Sequence, residues 1–193
     1  RNCLLFEPAA SASVPLFASL MAALKNAMQV RFQLEDSELA AEVLPTRGEP
    51  RQILFYESAE GGAGVLRRLL DDPGVLAEVA RQALELCHFD PRTGADLRRA
   101  PRAREDCEAA CYDCLMSYSN QRLHPLLDRQ LLRPVLLALA GAEVRAAPAD
   151  LPRATQLERL LRTAGSDLER EWLRFLEARN LRLPTSGQTL IAG

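Results

Sequence analysis

The chain has only two histidines and one tryptophan, its aromatic content is 5%, and no apolar run approaches the ~20 residues of a membrane-spanning helix. No charge sign dominates either. Twenty-four Lys and Arg against 26 Asp and Glu leave a formal charge of -2, so a globally basic nucleic-acid binder is excluded and any contact with phosphates must be local. No Gly-x4-Gly-Lys-Ser/Thr loop, acidic pair or arginine finger of an ATPase is present, so this chain is not expected to hydrolyse ATP by itself or to act as an enzyme. No secretory leader is recognisable, which makes a reducing, cytoplasmic setting the expectation. With 193 residues, 48% of them hydrophobic, a core can form without disulfide staples.

What the chain does have is a concentration of cysteine. Four of its five cysteines fall within 28 residues as Cys87-x19-Cys107-x3-Cys111-x2-Cys114, and three of those lie within eight. This spacing lets thiolates converge on one point with little bending of the backbone, as a tetrahedral Zn²⁺ requires. The reading is a four-cysteine zinc knuckle of Cys87, Cys107, Cys111 and Cys114. His88, beside Cys87, is the alternative fourth donor. Disulfides, a redox Cys111-x2-Cys114 pair and unliganded buried thiols are the competing readings. Four thiolates would close the coordination shell, which points to structural rather than catalytic zinc. The His-x-Glu pair of zinc deaminases is missing, since Asp90 and Leu126 follow the two histidines at that spacing.

The periodicities predict a small sheet packed with several helices, an α/β (α+β) arrangement. Strands are expected at 2–6, 38–44 and 52–56, the last two pairing across Thr46 to Pro50. A helix is expected over 14–32, capped by Ser13 or Ser11, and others over 65–70, 73–86 and 126–140, with Pro134 kinking or dividing the last. The last helix should bury Leu127, Leu131, Val135 and Leu139. The glycine cluster Gly61 to Gly64 at a helix start is either a tight strand-to-helix turn or a phosphate cradle. Residues 1–146 read as one domain, 147–165 as a linker, and 166–193 as the truncated start of a second. There Ser166 and Glu169 form a capping box, and Leu168, Trp172, Phe175 and Leu176 are the expected buried face. A further strand is expected after Pro184. The chain opens on Arg1 and stops at Gly193 as though a strand were starting, so a longer parent protein is the expectation.

The segment Cys107-x3-Cys111-Tyr-Asp-Cys114-Leu-Met-Ser-Tyr118-Ser-Asn120-Gln121-x2-His124-x3-Asp128-Arg129 resembles the signature of the MrfA-type zinc-binding (MZB) domain of superfamily 2 DEAD/DEAH-box-like helicases. So does Leu54-Phe-Tyr-Glu-x3-Gly61-Gly-Ala-Gly64, and the likeness extends over roughly residues 1 to 140. It implies structural zinc on Cys87, Cys107, Cys111 and Cys114, and an accessory role beside a helicase core, in the same or a partner polypeptide, in DNA repair or phage defence. More weakly, the tail from Ser166 is similar to the opening helix of restriction-endonuclease-like domains, with Glu169 in the place of an early glutamate. No Asp…Glu-x-Lys follows it.

The loop before Cys107 carries Arg92, Arg98, Arg99, Arg102 and Arg104, which could follow a phosphate backbone, although Asp90, Asp96, Glu105 and Asp106 could equally pair them internally. Tyr112 and Tyr118 are candidates for stacking on bases. Asn120, Gln121, His124 and Asp128 read as a hydrogen-bonded scaffold, with Asp128 serving the His124 ring or helix amides. The leading expectation is thus a non-catalytic zinc module of a DNA helicase or translocase. The alternative is a zinc-shaped module that docks a partner subunit.

Overall fold

The computed structural model describes residues 2–8, 12–46, 48–58, 62–144, 153–179, 181, 183 and 184. They form two compact units, 1–145 and 146–193. In the first, β1 (Cys3–Phe6), β2 (Leu39–Pro45) and β3 (Pro50–Glu57) make an antiparallel sheet in the order β1-β3-β2. Leu4 pairs with Phe55, and Val43 with Ile53. Alternation along β3 turns Ile53, Phe55 and Glu57 to the buried side.

That face is covered by α1 (Val14–Phe32), an alanine-rich helix buried along most of its length. Its small residues Ala18, Ala22, Ala23 and Ala27 admit neighbours closely on several sides. Ser13 caps it, its Oγ accepting from the Leu16 N–H at 3.3 Å. Next come α2 (Val65–Asp71) and α3 (Val75–Leu86), and α3 packs against both α1 and α4 (Arg133–Ala140).

The expected helix over 126–140 is in fact three pieces. A 3-10 segment covers Tyr118–Leu126, a 3-10 turn covers Arg129–Leu131, and α4 opens with Pro134 in its first turn. Proline has no N–H to continue a helix backwards but fits its start, so Pro134 begins α4 rather than kinking it. The buried positions are accordingly Leu127, Leu132, Leu136 and Ala140, while Leu131 is exposed.

The glycine turn serves the protein itself. Glu57, at the end of β3 and buried, accepts from the N–H groups of Gly64 and Leu66 at 3.0 Å each and from the Asn2 amide at 3.1 Å. A carboxylate therefore occupies the place where a bound phosphate would sit. Gly62 has φ of +66°, and a Cβ there would run into the Glu57 carboxylate. The turn needs glycine on both counts.

In the second unit, α5 (Arg153–Thr163) lies within the stretch expected to be a linker and pairs with α6 (Asp167–Ala178). Leu160, Ala164, Leu173, Leu176 and Leu183 form its core. Ser166 caps α6 by accepting from the Glu169 N–H, and the Glu169 carboxylate accepts from Gly165 N–H. The expected buried face is corrected by this packing. Leu173 and Leu176 face α5, whereas Leu168, Trp172 and Phe175 are exposed. The strand expected after Pro184 lies outside the described residues. No helix among them is long and apolar enough to cross a membrane.

Candidate metal centre

Helix α3 ends in a way that decides one donor. The His88 N–H bonds to Glu85 C=O at 3.0 Å and the Phe89 N–H to Leu84 C=O at 2.9 Å, with His88 at φ of +61°. This is a Schellman motif with histidine in the left-handed position usually taken by glycine. Leu84 and Phe89 supply its hydrophobic contact, both fully buried. The reversal sends the two adjacent side chains in different directions, Cys87 into the core and His88 towards the other cysteines.

A tight hairpin follows. The Asp90 carboxylate accepts from the N–H groups of Arg92 and Thr93, Gly94 takes φ of +68°, and Phe89 bridges to Asp96. The Cys107 N–H then donates to Arg98 C=O at 2.8 Å, which brings the chain back beside the end of α3. After Cys107, the turn at Cys111 closes with its N–H on Cys114 Sγ at 3.1 Å, while the Cys114 N–H donates to Cys111 C=O.

These elements gather His88, Cys107, Cys111 and Cys114, whose donor atoms all lie within 4.8 Å of one another. Cys111 Sγ is 3.6 Å from Cys114 Sγ and 3.2 Å from His88 Nε2, and Cys107 Sγ is 3.8 Å from Cys114 Sγ. A tetrahedral zinc with Zn–S bonds of about 2.3 Å holds its sulfurs about 3.8 Å apart, so the donor set fits that ion. Three cysteines and one histidine would hold it. Cys87, selected from spacing as the first ligand, is not in the group. Its neighbour His88 is, because of the left-handed angle at the helix end.

The electrostatics follow from burial. Desolvation pushes the Cys107 and Cys114 thiols up and the Cys87 thiol up to about 12. Burial, with the Arg129 charge adding to it, pushes His88 down and so favours the neutral imidazole that ligates metals. Thiols held protonated must surrender protons when a metal binds, so metal binding is tied to pH.

Arg129 is the residue that the spacing argument passed over. Although charged, it is 1% exposed. Its Nε donates to Cys107 C=O at 2.8 Å, Nη1 to Cys87 C=O at 3.2 Å, and Nη1 and Nη2 to the two Asp96 oxygens at 2.8 and 3.1 Å. The guanidinium also sits 5.0 Å from the centre of the Phe89 ring. The bonds from Arg129 hold Asp96 well below the usual carboxylate range. One side chain thus ties together the end of α3, the hairpin and the knuckle. Its only signal in the sequence was its place at the end of the Asp128-Arg129 segment.

The other expected site residues are distributed as follows. Asn120 Oδ1 accepts from the Ser117 N–H at 2.8 Å and lies 3.0 Å from His124 Nε2, while Asn120 Nδ2 donates to Leu115 C=O. Asp128 caps the following 3-10 turn through the Gln130 N–H, not the His124 ring, and Gln121 is exposed. Tyr112 is exposed and meets His124 edge-on at 5.7 Å, and Tyr118 is 87% exposed. Arg98 and Arg99 lie 3.5 and 3.8 Å from Asp106. Arg92, Arg102 and Arg104 are exposed without an ion pair among the described residues.

Residues 20–115, which contain all four donors, match the family model of the MrfA Zn-binding domain, MZB. This segment is similar to MZB domains. Neither a curated protein nor a solved structure matches the chain. Within the matched segment the four clustered side chains come from a helix end and a knuckle, and Arg129, which braces both, lies beyond its last matched residue.

Proposed function

We propose that this chain is a non-catalytic zinc-binding accessory module of a DNA helicase or translocase, acting in the cytoplasm in DNA repair or phage defence. The observation that carries the reading is the four-donor cluster inside a segment matched to a zinc-binding family. Bound zinc would supply a fourfold crosslink and no open coordination position, so its work is to fix the knuckle to the end of α3. Asp96 and Arg129 hold the same parts together from the other side.

The helicase core, in the same or a partner polypeptide, is the proposed motor, and DNA contact falls to the arginine loop. Arg98 and Arg99 share Asp106, which leaves Arg92, Arg102 and Arg104 as the cations for phosphates. The test is a salt titration of DNA affinity for wild type and for the Arg92→Glu, Arg102→Glu, Arg104→Glu triple variant. The variant should keep its zinc and bind more weakly, with a log–log salt slope smaller by about three. Equal affinity and slope would overturn the DNA role and favour docking of a partner subunit.

A further inference from the structure

The four clustered side chains of the candidate metal centre are not equally hidden. His88, Cys107 and Cys114 are 3%, 6% and 2% exposed, whereas Cys111 is partly exposed. An open cavity of about 730 Å³ lies against the cluster. Cys111, Cys107, His88 and His124 line it, and Cys114 is not among its lining residues. Hydrogen peroxide has two oxygen atoms and water takes up only about 30 Å³ in the liquid, so such a space admits it freely.

Beside Cys111 stands a second sulfur in the same turn. Cys114 Sγ is 3.6 Å away, and the turn is closed by the Cys114 N–H on Cys111 C=O at 3.2 Å. A turn closed in this way keeps its end Cα atoms within about 7 Å, the range that disulfides bridge. A bond between them draws the sulfurs to about 2.05 Å, a shift that rotation of the partly exposed Cys111 side chain supplies. Cys107 is held more firmly. Its N–H donates to Arg98 C=O and its C=O accepts from Arg129 Nε, both at 2.8 Å. Cys87, fully buried, is outside the group.

We propose that Cys111 and Cys114 form a peroxide-sensitive pair, in which Cys111 is modified first and Cys114 resolves it. This rests on the zinc reading in one respect: a bound zinc keeps the sulfurs deprotonated, and the thiolate is the form that attacks peroxide. The Cys111 thiolate attacks one oxygen of hydrogen peroxide, so an S–O bond forms, the O–O bond breaks and hydroxide leaves. The sulfur is oxidised to the sulfenic acid and the peroxide is reduced. The Cys114 thiolate then attacks that sulfur, forming the S–S bond and breaking the S–O bond with loss of a second hydroxide. Solvent protons turn both hydroxides into water. His88 and Cys107 then remain as donors, too few to hold zinc, and the metal leaves. The bonds of Arg129 to Cys87 C=O, Cys107 C=O and Asp96 involve neither sulfur, so the end of α3 and the hairpin stay in place.

The test adds hydrogen peroxide stepwise to the full chain, purified with zinc under reducing conditions and then freed of reductant. Zinc content is measured before and after, and free thiols are alkylated before peptide mass spectrometry. Cleavage after Glu108 and after Tyr112 separates Cys107, Cys111 and Cys114, so the bridge can be assigned. The expected first product is a Cys111–Cys114 disulfide, with Cys87 and Cys107 still alkylated and about one zinc released per bridge. Dithiothreitol with added zinc should reverse both changes, and circular dichroism should alter little throughout. A first bridge that includes Cys107 or Cys87, a Cys111 sulfinic acid without a bridge, or a chain that keeps its zinc while the exposed Cys3 oxidises would each overturn the proposal. A reduced chain without zinc would instead sink the zinc reading, and the peptide map of that same sample still decides for or against the pair.

Discussion

At the scale of single residues, the metal centre depends on two side chains in unfavourable settings. A non-glycine residue in the left-handed region costs about 1 kcal/mol, and His88 adopts it where α3 ends. That cost is offset by the position of its imidazole. His88→Ala should therefore lower zinc affinity at least tenfold, while Cys87→Ser should change it little, both read by competition with a chromophoric chelator. The reverse ranking would restore the four-thiolate set. Arg129 is buried with its charge, and its compensation comes from Asp96 and two backbone carbonyls. Removing one partner of such a pair leaves the other uncompensated, so Asp96→Ala should cost about 3 kcal/mol in urea unfolding. A loss below about 0.5 kcal/mol would show that the pair is held no more tightly than a surface bridge.

At the scale of elements, the strand-to-helix turn after β3 is governed by one carboxylate. Burial raises the pKa of Glu57, but the N–H groups of Leu66 and Gly64 and the Asn2 amide together outweigh it, and the pKa ends below its ordinary 4.5. A folded-state pKa below the unfolded one stabilises the protein above the unfolded value. The contribution is lost as pH falls through the folded value. Thermal melts should thus show a loss of stability below about pH 4.5 that is smaller in Glu57→Gln. At neutral pH that variant should lie about 2 kcal/mol below wild type. Identical acid profiles would show that Glu57 does not carry this dependence. Much of the element structure was legible, because α1 and β3 declare their periods through Leu20, Leu24 and Met28 and through Ile53 and Phe55. The C-terminal helix of the first unit was not, since local apolar spacing cannot show that α4 restarts at Pro134.

At the scale of the whole molecule, the two units differ in how much core each possesses. The larger cluster is made entirely from residues of the first unit, from Phe17 to Ala140. Among the described residues the second has five buried apolar residues, three of them on α5 and α6, with Leu168, Trp172 and Phe175 left at the surface. Below about 40 to 50 residues, a core of that size rarely sustains a fold by itself. A fragment of residues 1–145 should fold cooperatively and bind one zinc, and residues 146–193 alone should show weak, non-cooperative helicity by circular dichroism. A sharp melt from the short fragment would contradict this.

The sequence by itself determined the family likeness, the main helices and strands, and three of the four side chains that gather in the candidate metal cluster. Cys107, Cys111 and Cys114 lie within eight residues, and proximity along the chain brings them together almost regardless of the rest. The fourth member of that cluster was decided by the tertiary structure. Cys87 and His88 are neighbours with similar claims, and only the left-handed reversal at the end of α3 turns one inward and the other to the site. The same holds for Arg129, which reaches Cys87 across 42 residues and Asp96 across 33. Such pairings depend on where packed elements place distant groups, and no local spacing in the chain encodes them.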